Sequence, residues 1–214
     1  TLQDNTTASY NTAVGFDSLY ANSTGTQNTA TGSGVLNVNT TGSYNTGSGV
    51  NALASNTTGH SNTATGIYAL NLNTIGCYNT GIGFRSLNVN TTASFNTASG
   101  MYSLRNNTTG ATNTAVGSYA LSSNTTGNAS VAVGYSALIA NTTGACNTAM
   151  GGCALFANTT GSNNVAVGFK ALCANTTGYG NNAVGNCSLQ QTTTGGRNNA
   201  HGIYTLYNNT TGCR

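Results

Sequence analysis

Side chains that could carry acid–base, nucleophilic or metal chemistry are few in this sequence. The only acidic residues are Asp4 and Asp17, and the two histidines, His60 and His201, lie far apart along the chain. These residues cannot supply a carboxylate pair, a catalytic triad or a set of metal ligands. The sequence therefore predicts that the protein is not an enzyme and holds no metal or cofactor.

A tandem repeat must position these sparse residues. Twelve copies of the seventeen-residue motif Asn-Thr-Thr-Gly-x-x-Asn-Thr-Ala-x-Gly-x-x-Ala-Leu-x-x run from residue 5 to residue 208 without insertion or deletion. Residues 1–4 match the end of the motif, and residues 209–214 match its beginning. Each copy is called a coil, numbered from 1 to 12, and its residues are called motif positions 1 to 17. Because short repeats bury a core only by stacking on their neighbours, we expect one repeat domain over residues 1–214.

The composition narrows the class of protein. Five basic and two acidic residues give a net charge of +3, and they are scattered along the chain rather than clustered as a nucleic-acid-binding surface requires. The chain has no proline, and neutral Asn, Thr and Gly at a strict period favour stacked β-structure over disorder. No apolar run is long enough to span a membrane. The absence of a signal peptide and an initiator methionine indicates a processed chain or a segment of a longer one.

Two motif positions never vary. Glycine occupies position 11 of every coil, from Gly15 through Gly117 to Gly202, which predicts a positive φ or a close backbone approach at a turn. Leucine occupies position 15 of every coil and is the predicted core. The leucines are Leu19, Leu36, Leu53, Leu70, Leu87, Leu104, Leu121, Leu138, Leu155, Leu172, Leu189 and Leu206.

Asparagine at position 7 is the strongest polar pattern, broken only by Ser130. Stacked in register, such side chains can form a hydrogen-bonded ladder. Its members are Asn11, Asn28, Asn45, Asn62, Asn79, Asn96, Asn113, Asn147, Asn164, Asn181 and Asn198. Short strands are predicted at positions 7 to 10 and 13 to 16. The expected fold is all-β, a β-solenoid (parallel β-roll) of twelve 17-residue coils with partial coils at both ends.

Cysteines give no regular disulfide pattern. Cys77, Cys146, Cys153, Cys173, Cys187 and Cys213 occupy four different motif positions, without a Cys-x-x-Cys pair. Cys153 and Cys187 share a column, but two coils at about 4.8 Å each place them roughly 10 Å apart, too far for an undistorted disulfide. We expect the cysteines to be small residues that the coil tolerates at variable positions. Sporadic disulfides within or between chains are the alternative.

Asn-x-Thr sequons open eleven coils or partial coils, and they are candidate N-glycosylation sites in an extracellular protein. The alternative interpretation is that Asn-Thr-Thr is only turn chemistry. The sequons begin at Asn5, Asn22, Asn39, Asn56, Asn90, Asn107, Asn124, Asn141, Asn158, Asn175 and Asn209.

Aromatic and threonine columns are further candidate surfaces. Aromatic residues recur at position 6 (Tyr10, Tyr44, Tyr78, Phe95) and at position 13 (Tyr68, Tyr102, Tyr119, Tyr204). They could bind sugar rings or a neighbouring chain, although half-buried packing is the simpler explanation. Threonine recurs at position 8 (Thr12, Thr29, Thr46, Thr63, Thr80, Thr97, Thr114, Thr148), a pattern that resembles the regular threonines of ice-binding proteins. Val131, Val165, Asn182 and Asn199 interrupt that row.

The motifs NTAVG (Asn11–Gly15 and Asn113–Gly117) and SVAVG (Ser130–Gly134) resemble the head repeats of trimeric autotransporter adhesins. The full NTTGxxNTAVGxxAL unit is similar to repeats of phage and bacterial tail-fibre and adhesin-like proteins. These resemblances cover nearly the whole chain and imply a left-handed parallel β-roll, trimers and attachment to a surface. The longer period and the lack of a stalk or anchor depart from the adhesin pattern.

A weaker resemblance is to curli-type amyloid repeats, carried by Gly-x-x-Asn-x-Ala at Gly59–Ala64 and Gly110–Ala115 without the flanking Ser and Gln. Taken together, the sequence predicts an extracellular structural protein that forms a fibre by stacking with copies of itself. The alternatives are a shaft or head segment of a trimeric adhesin or tail fibre, with cell-surface glycans as candidate partners, and an ice- or sugar-binding solenoid.

Overall fold

The computed structural model describes residues 1–213, so Arg214, at the end of the predicted partial repeat, lies outside the described residues. The chain forms two compact units, Thr1–Thr109 and Gly110–Arg214. Each is a β-solenoid of parallel strands, which confirms the predicted fold class. The described residues form no helix, and hence none that could cross a membrane.

Each coil contributes one three-residue strand. The first unit contains β1 (Thr12–Val14), β2 (Thr29–Thr31), β3 (Thr46–Ser48), β4 (Thr63–Thr65), β5 (Thr80–Ile82) and β6 (Thr97–Ser99). The second contains β7 (Thr114–Val116), β8 (Val131–Val133), β9 (Thr148–Met150), β10 (Val165–Val167), β11 (Asn182–Val184) and β12 (Asn199–His201). Within each unit, consecutive strands pair in parallel, and every residue faces the same motif position of the next coil.

The predicted second strand at positions 13 to 16 is wrong. This segment forms two successive turns, in which the N–H of Ala69 donates to Gly66 O at 3.3 Å and the N–H of Asn73 donates to Leu70 O at 3.1 Å. Residues at positions 13 and 15 have left-handed backbones, for example φ 58° at Tyr68 and φ 49° at Leu70. A left-handed φ interrupts an extended chain, so no strand can continue through these positions.

Backbone bonding between coils nevertheless continues through the turns. The N–H of Leu70 donates forward to Ser86 O at 2.9 Å, and the N–H of Tyr68 donates back to Val50 O at 2.9 Å. Equivalent bonds recur at the same motif positions in other coils. Within each unit, an inner coil is therefore hydrogen-bonded to both of its neighbours around much of its circumference, although only three of its residues form a strand.

The core is narrow and consists of columns. The position-15 leucines from Leu19 to Leu189 are fully buried, whereas Leu206 is 48% exposed. Small residues at positions 9 and 14 line the same interior, for example Ala64 and Ala69. At position 11, Gly83 has φ +125°, and a Cβ there would lie 2.7 Å from Gly100 O. Both properties predicted for this glycine, a positive φ and a close backbone approach, are thus present.

Candidate functional surfaces

A buried ladder of asparagine side chains runs along motif position 1. Asn39 Nδ2 donates to Asn22 Oδ1 at 2.7 Å and to Gly42 O at 2.9 Å, so it joins one coil to the preceding one and closes its own turn. The same pair of bonds recurs within the first unit and within the second. Sequence reasoning assigned this column to a turn, although its asparagines are as constant as those at position 7.

The predicted position-7 asparagines form a second buried column with different partners. The N–H of Asn62 donates to Asn45 Oδ1 at 3.0 Å, and Asn62 Nδ2 donates to Gly76 O at 2.8 Å. The side chains of this column therefore bond chiefly to backbone groups of the following coil, since Asn62 Oδ1 also accepts from the N–H of Asn79 at 3.0 Å. Where Ser130 replaces asparagine, its hydroxyl oxygen accepts from the N–H of Asn147 at 3.2 Å.

Burial of the position-1 asparagines bears directly on the glycosylation hypothesis. Nine of the eleven candidate residues are fully buried, and they are Asn22, Asn39, Asn56, Asn90, Asn107, Asn124, Asn141, Asn158 and Asn175. A glycan would have to be attached to Nδ2, the atom that makes the interior ladder bonds. The folded coils leave no room for a glycan at these nine positions. Asn5 is exposed and Asn209 is half-buried.

The aromatic residues at position 6 are exposed, and two of their rings stack between neighbouring coils. Tyr78 and Phe95, one coil apart, have ring centroids 5.1 Å apart and are inclined by only 6°. His60 meets the Tyr78 ring edge-on at 5.0 Å. Tyr44 is 60% exposed and Tyr78 is 52% exposed. This column is therefore an outward-facing aromatic surface rather than half-buried packing.

The position-13 tyrosines, by contrast, are largely covered by neighbouring side chains in the first unit, whereas Tyr204 in the second unit is 61% exposed. Tyr68 and Tyr102 are half-buried, and arginines lie over their rings. The guanidinium carbon of Arg85 is 5.4 Å from the Tyr68 ring centroid, and that of Arg105 is 5.0 Å from the Tyr102 ring centroid. Arg85 and Arg105, two of the few charged residues, therefore pack on aromatic rings.

An open groove of about 400 Å³ interrupts the position-6 column in the first unit. Ser61 occupies position 6 between Tyr44 and Tyr78, so one ring is missing from the stack at this coil. The groove is lined by Thr41, Ser43, Tyr44, Thr58, His60, Ser61 and Tyr78. His60 Nδ1 lies 3.3 Å from Ser61 Oγ. Two aromatic rings, hydroxyl groups and one imidazole thus converge on a single uncharged concavity.

The outward face of the strands carries the threonine row at position 8. Strands β2 and β4 also present threonine at position 10, giving Thr-Ala-Thr with an inward alanine. Exposed apolar residues follow at position 12, namely Phe16, Val50, Ile67, Phe84 and Met101 in the first unit and Tyr135, Phe169 and Ile203 in the second. Sequence reasoning missed this apolar column because its residues share hydrophobicity but not identity.

The acidic residues and histidines, Asp4, Asp17, His60 and His201, lie in four different coils or partial coils. Across residues 1–213, no three His, Cys, Asp or Glu side chains form a group that could hold a metal ion. All six cysteines are free thiols. The structure brings together asparagine amides inside the coils, aromatic or apolar side chains outside them, and three of the thiols in the second unit.

Comparison of the chain with protein-family models, curated proteins and solved structures found no match. The fold itself therefore defines the class of protein, a parallel β-solenoid of 17-residue coils in each unit. The resemblance to adhesin-head and tail-fibre repeats stays a prediction.

Proposed function

We propose that this chain is a structural protein that forms an extracellular fibre or filament by stacking its coils and associating with copies of itself. The observation that carries the proposal is the bonding of buried amides between coils, as in Asn39 to Asn22 at 2.7 Å. The polar interior of one coil is satisfied by the adjoining coil, so the repeat is suited to extension by stacking. The extracellular assignment rests on the resemblance to adhesin and tail-fibre repeats.

Lateral association between copies is supported by the apolar column at position 12. In the first unit Phe16, Val50, Ile67, Phe84 and Met101 are exposed at this position. None of these residues is charged, although the guanidinium carbon of Arg85 lies 5.3 Å from the Phe84 ring centroid, so a second copy has to pack beside that cation. Because the column has the spacing of the coils, a second copy of the same column matches it in register. A second copy of this chain is therefore the partner that fits this face.

Electron microscopy and fibre diffraction of the purified protein test this proposal. We expect unbranched fibres with an axial reflection near 4.8 Å, the spacing of stacked strands. The double variant Ile67→Lys, Phe84→Lys places charges on the proposed lateral face and should reduce association. The double variant Thr24→Lys, Thr92→Lys, at exposed turn positions outside the groove, adds the same charge and is the matched control. A wild-type protein that remains monomeric by light scattering at every concentration would contradict the proposal.

The alternative is that the chain is a shaft or head segment of a trimeric adhesin or tail fibre that attaches to a host or surface. This proposal is supported by the resemblance of the Asn11–Gly15 and Ser130–Gly134 motifs to adhesin heads. Discrete trimers with a globular end in electron micrographs would favour it over continuous fibres. An ice-binding role for the threonine row is a third candidate, and the absence of thermal hysteresis would remove it.

The groove between Tyr44 and Tyr78 supports saccharide binding as a second candidate function. The stacked Tyr78–Phe95 pair defines a ring-to-ring separation of 5.1 Å between neighbouring coils. Ser61 has no ring to continue this stack between Tyr44 and Tyr78. One flat pyranose ring could occupy the place of the missing aromatic ring. Hydroxyl groups from Thr41, Ser43 and Thr58 line the groove, and no Asp, Glu, Lys or Arg side chain lines it. A neutral hexose oligosaccharide is therefore the ligand class that fits.

This candidate is tested by measuring the binding of cello- and malto-oligosaccharides to the full chain with NMR or calorimetry. Tyr44→Ala and Tyr78→Ala should each weaken binding by about tenfold or more, because each removes one aromatic wall. Tyr10→Ala removes an exposed ring of the same column outside the groove and should leave binding unchanged. No detectable binding, or equal loss in all three variants, would reject the groove as the site.

A further inference from the structure

Three thiols occupy neighbouring coils on one side of the second unit. Cys153 and Cys187 lie at position 13 of coils 9 and 11, and Cys173 lies at position 16 of coil 10 between them. All three are free, Cys187 is buried, and the other two are half-buried. Lys170 occupies position 13 of the coil that carries Cys173. This cluster has no part in the stacking ladders or in the groove.

The contacts of position 16 in other coils show which of the three thiols are neighbours. In the first unit, an asparagine at position 16 reaches back to the position-13 carbonyl of the preceding coil. The bonds join Asn37 Nδ2 to Asp17 O at 3.1 Å, Asn71 Nδ2 to Asn51 O at 3.0 Å, and Asn88 Nδ2 to Tyr68 O at 3.1 Å. Cys173 and Cys153 occupy the same two positions in coils 10 and 9. By this register, the Cys173 side chain extends toward the backbone carbonyl of Cys153 in the preceding coil, whereas the side chain that extends toward the backbone of Cys187 is that of Tyr207.

We propose that Cys153 and Cys173 are a redox-active pair that closes into a disulfide joining two adjacent coils. The oxidant is a small-molecule disulfide such as oxidised glutathione. The thiolate of one cysteine attacks this disulfide, forms a mixed disulfide and releases one small thiol. The thiolate of the second cysteine then attacks the protein sulfur, forms the Cys153–Cys173 bond and releases the second small thiol. Two protein thiols are oxidised, and one small disulfide is reduced to two thiols.

The burial of Cys173 and the groups near it determine how the rate of this reaction depends on pH. Burial raises the pKa of the Cys173 thiol above its ordinary value of 9.0; nearby Cys153 and Cys187 also raise it, and Lys170 lowers it. Because only the thiolate attacks, Cys173 reacts slowly near neutral pH and faster as the pH approaches its raised pKa. Closure of the disulfide should therefore accelerate as the pH rises from 7 to 9.

Tryptic mapping of the intact chain tests the pair, because Lys170 separates the two cysteines. After oxidation with glutathione disulfide, alkylation and denaturation, cleavage at Arg105, Lys170 and Arg197 yields peptides 106–170 and 171–197. We expect these peptides to be joined in monomeric protein and to separate on reduction. Two separate peptides carrying only free thiols or stable glutathione adducts would overturn the proposal.

Serine variants assign the link to individual cysteines. Serine occurs naturally at position 13 (Ser136) and at position 16 (Ser122), so Cys153→Ser and Cys173→Ser are compatible with the coil. Each should abolish the linked peptide, whereas the double variant Cys146→Ser, Cys187→Ser should retain it. Persistence of the link in Cys153→Ser, or an internal Cys173–Cys187 bond in peptide 171–197, would show that the proposed pair is wrong.

Discussion

Oδ1 of Asn175 is buried without a hydrogen-bond donor because Thr192 occupies the next place in the position-1 ladder. In other coils an asparagine fills the corresponding place. Asn158, for example, donates from its Nδ2 to Asn141 Oδ1 in the preceding coil at 2.8 Å. On the other side of Thr192, Asn209 Nδ2 is also buried and unpartnered. One threonine thus leaves two buried polar atoms unsatisfied.

Thr192→Asn should therefore stabilise the second unit. The new amide supplies a donor to Asn175 and an acceptor to Asn209, although it removes the bond from Thr192 Oγ1 to Asn209 O at 2.9 Å. Each buried polar atom that gains a partner contributes about 1 kcal/mol or more. After the lost bond is subtracted, we expect the free energy of unfolding to rise by about 1–2 kcal/mol. Chemical denaturation measures the gain, and Thr194→Asn, at an exposed turn position, is the control. Lower stability of Thr192→Asn would show that the gap is not an unfilled ladder place.

Gly47 and Val35 are expected to be energetically coupled. A Cβ at Gly47 would lie 2.4 Å from Val35 Cγ1; Val35 is larger than the usual Ala or Ser of position 14, and Gly47 is smaller than the usual Ala of position 9. Gly47→Ala alone should destabilise the first unit by about 1–3 kcal/mol through overpacking. Adding Val35→Ala should relieve the clash, because Ala52 and Ala64 already form this combination. A double-mutant cycle measured by thermal denaturation tests the coupling, and additive effects would argue against it.

Gly83→Ala should be strongly destabilising, whereas Gly152→Ala should be tolerated. At Gly83 the added Cβ would lie 2.7 Å from Gly100 O, and the backbone has φ +125°. At Gly152 the nearest atom is Phe169 Cδ2 at 3.4 Å, an ordinary contact, and the backbone is not left-handed. We expect a loss of more than about 2 kcal/mol for the first variant and within about 0.5 kcal/mol of wild type for the second. Equal melting temperatures for the two variants would contradict this assignment of the position-11 glycine.

Leu104→Asp and Leu121→Asp should prevent folding and therefore assembly. Both leucines are fully buried in the core column, where a carboxylate would have no partner. Leu206→Asp is the matched control, because this leucine of the same column is 48% exposed. Far-UV circular dichroism and electron microscopy should show loss of β-structure and fibres only for the two buried positions. Normal assembly of Leu104→Asp would mean that the column does not stabilise the fold.

Much of the fold was predictable because a constant repeat brings identical residues above one another. In-register parallel stacking, the buried column from Leu19 to Leu189 and the turn at Gly83 follow from invariant positions alone. The Asn62 ladder was also indicated, since a polar residue kept at one position can bond to its copy in the next coil. Stacking requires only that the period be unbroken.

The features that sequence reasoning missed or misread depend on how each coil closes on itself. Leu70 adopts φ 49°, which leucine disfavours by itself, because full burial of its side chain and backbone bonds to a neighbouring coil offset the strain. Asn39 opens an Asn-Thr-Thr sequence typical of an exposed turn, yet its amide faces inward and bonds to Asn22. The gap at Ser61 becomes a groove only when Tyr44 and Tyr78 flank it. The period of the sequence established which residues stack and that the leucines face inward. Whether the polar and aromatic side chains of positions 1 and 6 point inward or outward depended on how seventeen residues bend into a closed coil, which no local propensity specifies.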